Sequence, residues 1–218
     1  MATSVSDGAL ASGRGGLGIL GGTFNPPHVG HLAAATHARA QLGLEHVLLM
    51  PAHSAPHKRG GGDPGPHHRL AMCRLMTDDA AGLAVCELEV ERGGASYTVD
   101  TLRAMRTVHP NTPLTFIVGA DIALTLPTWR APAELLGLVR LAVAGREGAR
   151  AAQVRRELAP LRPAAEVEFL DMPDVNVSSS MVRARVARAQ PTDGLLTPAV
   201  AAYIDEHGLY REPVESVR

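Results

Sequence analysis

The chain has 218 residues, of which 45% are hydrophobic and 20% charged, a balance typical of a globular protein with a sizeable core. Its 21 basic and 22 acidic residues give a net charge of −1, so charge provides no general reason to bind nucleic acid or a membrane surface. Aromatic residues make up only 3% of the chain, which argues against the stacking platforms that bind single-stranded nucleic acid.

The cysteines and the amino terminus favour a cytoplasmic protein. Cys73 and Cys86 form neither a disulfide framework nor a close metal-binding pair. Residues 1–16 are rich in Ala, Ser and Gly and lack the basic and apolar regions of a secretory signal, so we expect a disordered leader. No apolar run approaches the ~20 residues that span a bilayer. Residues 17–218 are predicted to form a single domain.

Apolar runs and helical patterns alternate along the rest of the chain. The predicted strands cover residues 17–21, 46–51, 83–90, 114–119, 138–144 and 167–170. The predicted helices cover residues 30–42, 69–76, a segment capped by Ser96 or Thr98, residues 149–158, a segment starting near Ser179, and residues 198–207 with Thr197 as N-cap.

This alternation predicts an α/β fold, a doubly wound parallel sheet with helices on both faces and two helices at the carboxyl terminus. Ligands of such sheets bind beyond the carboxyl ends of the strands. The loops expected to carry function are therefore those that follow strands, namely residues 22–31, 52–66, 119–130, 145–148 and 172–180.

The first of these loops has the features of a phosphate-binding site. The strand leads into Gly21 and Gly22, and a helix begins between His28 and His31. The backbone N–H groups of such a turn and the dipole of the following helix both favour an anion. Because two imidazoles can also donate hydrogen bonds to phosphate oxygens, the sequence predicts a nucleoside triphosphate here. The alternative is that one histidine only caps or packs the helix.

A second phosphate-binding pattern follows the last predicted strand. Ser178, Ser179 and Ser180 precede a helix, and Arg183 lies one turn further along. Hydroxyl groups, a helix N-terminus and a guanidinium together can bind a phosphate. The alternative is an ordinary N-cap beside solvated arginines, and this is the interpretation we keep for two further arginines, Arg185 and Arg188.

Histidines are frequent around the loop at residues 52–66. The set comprises His53, His57, His67 and His68. Pro and Gly separate these residues and no cysteine joins them, which disfavours a zinc site. We expect a loop that binds substrate or lies exposed.

Several motifs together resemble those of the bacterial nicotinate-nucleotide adenylyltransferases. Residues 21–31 read GGTFNPPHVGH and resemble the family signature GGTFDPxHxGH, with Asn25 in place of the usual Asp. Relatives in the wider nucleotidyltransferase superfamily use Asn at this position. Further similar motifs are residues 56–58 (PHK), 96–102 (SYTVDTL), 119–129 (GADIALTLPTW), 177–183 (VSSSMVR, with Ser180 for Thr) and the chain end Leu209-Tyr210.

The resemblance implies a Rossmann-like fold of the nucleotidyltransferase type and adenylyl transfer from ATP to nicotinate mononucleotide, with release of pyrophosphate. The attacking phosphate is already an anion, since its second pKa is about 6, so no general base is needed. The implied catalytic residues are His28, His31, Lys58 and Arg183. The implied ATP-binding residues are Gly21, Gly22, Thr23, Phe24, His28, His31, Gly119, Asp121, Arg146, Ser178, Ser179, Ser180 and Arg183.

The resemblance also implies a mononucleotide site formed by Thr23, His57, Lys58, Ser96, Tyr97, Thr98 and Trp129. Trp129 would stack on the pyridine ring, although a core position is commoner for a single Trp. The N–H groups of Tyr97 and Thr98 would receive the nicotinate carboxylate and so favour the acid over the neutral amide. Asp121 is expected to accept a hydrogen bond from a ribose hydroxyl unless it only caps a helix. Lys58 would meet substrate phosphates, the alternative being an exposed, mobile side chain.

The implied cofactor is Mg²⁺, bound mainly through the triphosphate, as small hard cations commonly are. The implied partners are ATP and nicotinate mononucleotide, with no nucleic acid and no membrane. Whether the chain forms a homo-oligomer stays open.

Three alternatives remain at this point. Another adenylyl- or cytidylyltransferase of the same fold, for example one acting on phosphopantetheine, is disfavoured by Trp129 and residues 96–98. A class I aminoacyl-tRNA synthetase fragment is disfavoured because the chain has no KMSKS-like loop and no basic excess. A non-catalytic nucleotide sensor need not keep both histidines together with Arg183.

Overall fold

The computed structural model describes residues 15–54, 62–145, 148–161, 167–173 and 175–211, and a six-stranded sheet runs through this part of the chain. Most of the predicted leader, residues 1–14, lies outside the described residues. The strands are β1 (Leu17–Gly22), β2 (His46–Pro51), β3 (Leu83–Val85), β4 (Leu114–Gly119), β5 (Arg140–Ala144) and β6 (Val167–Leu170).

The helices cover both faces of this sheet. The described residues form α1 (Val29–Leu42), α2 (Pro66–Thr77), α3 (Leu88–Arg92), α4 (Thr98–Val108), α5 (Ala120–Ala123), α6 (Pro132–Leu138), α7 (Ala149–Leu158), α8 (Ser179–Ala187) and α9 (Pro198–Glu206), with a 3₁₀ turn at Leu126–Thr128. The predicted N-cap of α9 is confirmed, since the Thr197 hydroxyl accepts the Val200 N–H at 3.4 Å. None of these helices is long and apolar enough to cross a membrane.

All neighbouring strands pair in parallel, in the order β3-β2-β1-β4-β5-β6. The predicted doubly wound sheet is therefore confirmed. The order reverses between β1 and β4, whose carboxyl ends lie at Gly22 and Gly119. This reversal opens the crevice in which ligands of such sheets bind.

The strands are buried on both faces because apolar side chains point alternately to each side. Ile19 of β1 and Leu48 of β2 pack against α4, α6 and α7, whereas Leu20 and Leu49 pack against α1, α2, α8 and α9. Two apolar layers therefore fix the sheet, and the loops at its carboxyl edge are left to form a site.

The prediction of a third strand over residues 83–90 is wrong beyond Val85. The Cys86 N–H still donates to the Leu49 carbonyl at 2.9 Å, but the next ladder donor from β2 would be the N–H of Pro51, which proline lacks. The ladder ends there, and the chain turns into α3. Glu89 is buried in this helix, where its carboxylate accepts the Thr101 hydroxyl at 2.6 Å.

The segment between β4 and β5 is more helical than predicted. The expected loop at residues 119–130 contains α5 and the 3₁₀ turn, and the strand expected from residue 138 begins only at Arg140, after α6. The N-cap of α4 is Tyr97 rather than Ser96 or Thr98. The Ser96 hydroxyl is engaged elsewhere, since it accepts the His53 N–H at 3.0 Å.

A glycine inside β1 provides a test of this packing. A Cβ atom added at Gly18 would lie 2.8 Å from Cγ2 of Val47 and 2.9 Å from Cδ1 of Leu44. We therefore expect Gly18→Ala to lower the free energy of unfolding by about 1–3 kcal/mol through overpacking. Urea denaturation measures this change. The matched control is Gly137→Ala in α6, where nothing lies within 4 Å, and an equal loss in the control would contradict the packing argument.

Candidate functional site

The loop between β1 and α1, residues 23–28, is the centre of the candidate site, and we call it the β1 loop. Two glycines that sit against aromatic rings lead into it from the end of β1. A Cβ atom at Gly21 would lie 3.1 Å from the Phe116 ring, and one at Gly22 would lie 3.1 Å from the Phe24 ring. Phe24 itself adopts a positive φ of 52°, which is costly for a bulky residue and turns its ring inward, where it is buried.

The two predicted phosphate-binding histidines lie together at the start of α1. Their rings stack with centroids 3.7 Å apart, and the edge of Phe24 meets His31 with centroids 4.8 Å apart. The backbone N–H of His28, the N-cap, donates to Nδ1 of His31 at 3.2 Å. Since Nδ1 accepts this bond, the neutral imidazole of His31 carries its proton on Nε2, which makes Nε2 a hydrogen-bond donor.

His28 is held neutral by burial. The residue is only 8% exposed, and desolvation lowers the pKa of its imidazole to about 4. Its Nδ1 has no hydrogen-bond partner among the described residues. At neutral pH the stacked pair therefore places two polar rings beside each other without the repulsion of two buried charges.

The second predicted phosphate pattern packs directly on the β1 loop. The Ser179 hydroxyl donates to the carbonyl of Pro26 at 2.9 Å, and Nη1 of Arg183 donates to the carbonyl of Asn25 at 2.7 Å. Ser178 is the N-cap of α8, its hydroxyl accepting the Met181 N–H at 3.2 Å. The structure thus brings together the N-terminal ends of α1 and α8, which the sequence had separated by about 150 positions.

Arg183 donates two hydrogen bonds to described residues in this position. Besides the Asn25 carbonyl, its Nη2 donates to the Ser180 hydroxyl at 3.3 Å. The side chain is half-buried, which excludes the alternative of a freely solvated arginine. A guanidinium has five N–H donors, so these two bonds leave it the capacity to bind an anion as well.

Three of the predicted mononucleotide residues, Ser96, Tyr97 and Thr98, lie at the start of α4. Tyr97 is the N-cap, and the guanidinium of Arg130 lies 4.8 Å from the centre of its ring. Arg130 is also paired with Asp100, Nη1 to Oδ2 at 3.1 Å. A helix N-terminus with an arginine beside it is a favourable environment for a carboxylate.

Trp129 is half-buried against the core, its ring centroid 6.3 Å from that of Phe116. Its indole N–H donates to the Thr125 hydroxyl at 3.0 Å, which fixes the orientation of the ring. Phe116 also contacts the position of Gly21. The chain of contacts places Trp129 beside the β1 strand end, and stacking on a pyridine ring stays a prediction.

At the end of β4, Gly119 is the N-cap of α5, so the alternative that Asp121 caps this helix is wrong. Asp121 is highly exposed and forms an ion pair with Arg150 of α7. Its expected contact with a ribose stays a prediction. Three further predicted site residues, His57, Lys58 and Arg146, lie outside the described residues.

Besides Arg130, sequence reasoning missed Arg69 of α2. It is only 1% exposed, and it bonds to the β1 loop and to the chain after β2. The signal was its helical spacing, because Arg69 shares the apolar stripe of Met72, Cys73 and Met76. A charged residue on a buried stripe must be paired or hydrogen-bonded, and this requirement could have identified it.

The chain end also reaches the site. Tyr210, whose side chain is partly buried, lies close enough to Asp63, Arg69 and Arg183 for their charges to act on it. Burial, with the negative charge of Asp63, raises the pKa of its phenol. Tyr210, at the end of the described chain, therefore lies near Arg69 and Arg183, which both hold the β1 loop.

Known proteins match most of this chain in sequence and in fold. The family model for cytidylyltransferase-like proteins matches residues 19–185. A protein from Gemmatimonas aurantiaca named probable nicotinate-nucleotide adenylyltransferase is 41% identical over 202 residues, which is 90% of this chain and 92% of its own. A protein of the same name from Symbiobacterium thermophilum is 39% identical over 196 residues, covering 89% of this chain and 94% of its own.

Among solved structures, the Plasmodium falciparum nicotinic acid mononucleotide adenylyltransferase complexed with NaAD superposes with a TM-score of 0.74. The match covers 90% of this chain and 98% of that chain at 18% identity. At this identity the likeness supports the fold alone.

The buried imidazole predicts a pH dependence of stability. The pKa of His28 is about 4 in the folded chain against an ordinary 6.5, so the unfolded chain binds the proton more readily. The stabilisation is complete above pH 6.5 and is lost as the pH falls towards 4, amounting to about 3 kcal/mol in all. Unfolding in urea across this range measures the slope.

The matched variants for this measurement are His28→Asn and His67→Asn. We expect the first to flatten the slope between pH 6.5 and 4, and the second, at an exposed position, to leave it unchanged. An unaltered slope in His28→Asn would refute the assignment.

Proposed function

Because the chain belongs to the nicotinate-nucleotide adenylyltransferase family, we propose that it transfers the adenylyl group of ATP to nicotinate mononucleotide, forming nicotinate adenine dinucleotide and pyrophosphate for NAD biosynthesis. The observation that carries the proposal is the bonding of Ser179 and Arg183 to the β1 loop, just ahead of His28. This contact brings together two helix N-terminal ends, an arginine and two imidazoles. Each of these groups favours a bound triphosphate.

In this proposal the triphosphate of ATP lies against the N-terminal ends of α1 and α8. His31 donates from Nε2, because its Nδ1 is occupied by the His28 N–H. Arg183 and Lys58 balance the negative charge on the transferred group, and Ser180 adds a hydroxyl donor. Donors fixed before the reaction stabilise the transition state at little reorganisation cost.

The rest of ATP is assigned to the adjoining loops at the carboxyl edge of the sheet. The phosphates lie along the glycine turn at Gly21 and Gly22 and along the backbone of Thr23 and Phe24. Asp121 accepts a ribose hydroxyl, with Gly119 beside it and Arg146 near the adenine or the phosphates. These assignments are supported by where the loops lie, since β1 and β4 flank the crevice where the strand order reverses.

Nicotinate mononucleotide is assigned to the opposite side of the β1 loop. Its carboxylate meets the N–H groups at the start of α4, beside Tyr97, Thr98 and the guanidinium of Arg130. Trp129 stacks on the pyridine ring, while Ser96, Thr23, His57 and Lys58 complete the site. The phosphate then attacks the α-phosphorus of ATP in line, and its own charge makes a general base unnecessary.

Mg²⁺ fits this site as an ion carried by ATP. No group of three or more His, Cys, Asp or Glu that could hold a metal occurs among the described residues. A small, hard cation needs no such cage, because phosphate oxygens and water supply most of its ligands. When bound it neutralises charge on the phosphates, and the chain's own task is to hold the phosphates that carry it.

The proposal includes a cytoplasmic location. Both cysteines are free thiols, Cys73 buried and Cys86 half-buried, as a reducing compartment allows.

The test of the function is turnover of purified protein with ATP and Mg²⁺ and with either nicotinate mononucleotide or its amide counterpart. We expect dinucleotide from both, and faster from the acid, because a neutral amide gains less from the start of α4 and Arg130. Chromatographic separation of the dinucleotides measures both rates. Equal rates would overturn the assigned carboxylate site, and no dinucleotide from either would overturn the function.

A second test addresses the histidine pair. We expect His31→Ala to lower kcat by ~10²–10³-fold, the usual effect of removing one donor to a transition state. His37→Ala, on the same helix, is the matched control and should keep its kcat. A normal kcat with weaker ATP binding in His31→Ala would show that His31 binds ground state and transition state equally.

A further inference from the structure

The guanidinium of Arg69 links the two substrate-binding regions. Its Nη1 donates to the carbonyl of Thr23 in the β1 loop at 2.8 Å and to that of Ala52 after β2 at 2.6 Å. Its Nη2 donates to the carbonyl of His53 at 2.8 Å. We propose that Arg69 is a positioning residue, which fixes the position of the ATP-binding loop relative to the mononucleotide-binding segment.

The contact on the ATP side fixes the orientation of a peptide group. Peptide groups are planar and trans, so the N–H of Phe24 points opposite to the carbonyl of Thr23. Since Arg69 holds that carbonyl, the Phe24 N–H is directed to the other side of the loop, away from α2. Arg183 and Ser179 hold the carbonyls of Asn25 and Pro26 from α8, so side chains from two helices orient the loop.

On the mononucleotide side, further hydrogen bonds connect His53 to the start of α4. The His53 N–H donates to the Ser96 hydroxyl at 3.0 Å, and the Ser96 N–H donates to the Ser54 carbonyl at 2.9 Å. Ser96 directly precedes Tyr97, the N-cap of α4. A shift of Arg69 therefore moves the start of α4 relative to the β1 loop.

An arginine is needed for this task because of its shape. The fourth hydrogen bond of Arg69 runs from its Nε to Oδ1 of Asp63 at 3.0 Å, so four acceptors surround one planar guanidinium. A lysine has three donors on a single nitrogen and cannot reach all four positions at once. The Ala52 carbonyl is shielded from water and those of Thr23 and His53 are partly shielded, so all three rely on the donors of Arg69.

The test compares three variants in the assay of the proposed function, on which this inference rests. In Arg69→Lys we expect KM to rise for both ATP and nicotinate mononucleotide and kcat to fall, with kcat/KM reduced ~10²-fold, the usual effect of misplacing reactants by about 1 Å. Asp63→Asn should change the same constants in the same direction by ~10-fold, because the bond from Nε of Arg69 loses its charge assistance. Arg74→Lys, whose parent residue pairs with Glu87 on the outer side of α2, is the matched control and should match the wild type.

Amide hydrogen exchange separates positioning from a general loss of stability. We expect faster exchange in Arg69→Lys at residues 22–25 and at residues 94–97 together, with β5 unchanged. Kinetic constants within twofold of the wild type, or a change confined to one substrate or one segment, would overturn the proposal. If Arg69→Lys fails to fold, Asp63→Asn decides by the same criteria, since Asp63 has 41% of its side chain exposed and can be replaced without opening the core.

The outcomes for the function and for the positioning role are distinct. Wild-type protein that forms no dinucleotide would refute the proposed function. The exchange measurement would then still decide whether Arg69 couples the two segments, because it needs no turnover.

Discussion

The site depends on how a loop that leaves the sheet satisfies its partly buried carbonyl groups. Past Gly22, no strand among the described residues pairs with the β1 loop, and partly buried carbonyls without donors are unfavourable. Arg69 of α2 donates a hydrogen bond to the carbonyl of Thr23. From α8, Arg183 donates to the carbonyl of Asn25 and Ser179 to that of Pro26. These contacts hold both helices on the loop and leave the histidine pair at the start of α1 in a fixed place.

The chemistry assigned to the site follows from the same arrangement. Burial keeps His28 neutral, and the bond from its N–H to His31 leaves that ring a donor at Nε2. A neutral His28 beside arginines reduces the repulsion between positive charges in a site that binds a polyanion. In the proposed reaction between two anions, the arginines would supply the charge and the histidines directed hydrogen bonds.

Much of the fold was predictable because local patterns and tertiary contacts agree. The strand at residues 17–21, its glycine turn and the helix from residue 30 are all present, as is the helix beginning at Ser179. Predictions failed where a distant residue decided the outcome. The alternation of residues 87–90 resembles a strand, but Pro51 cannot continue the ladder, and the segment becomes α3.

The sequence alone determined the parallel α/β sheet, the glycine turn followed by His28 and His31, and the Ser178–Arg183 pattern at a helix start, since each is a local signal of spacing and residue type. The tertiary structure decided which partners these groups have. Ser179 and Arg183 hold the β1 loop, Asp121 pairs with Arg150, and Arg69 joins segments separated by about 30 positions. Hydrogen bonds between side chains and distant carbonyls leave no periodic trace in a sequence, so only the folded chain shows how the β1 loop is held.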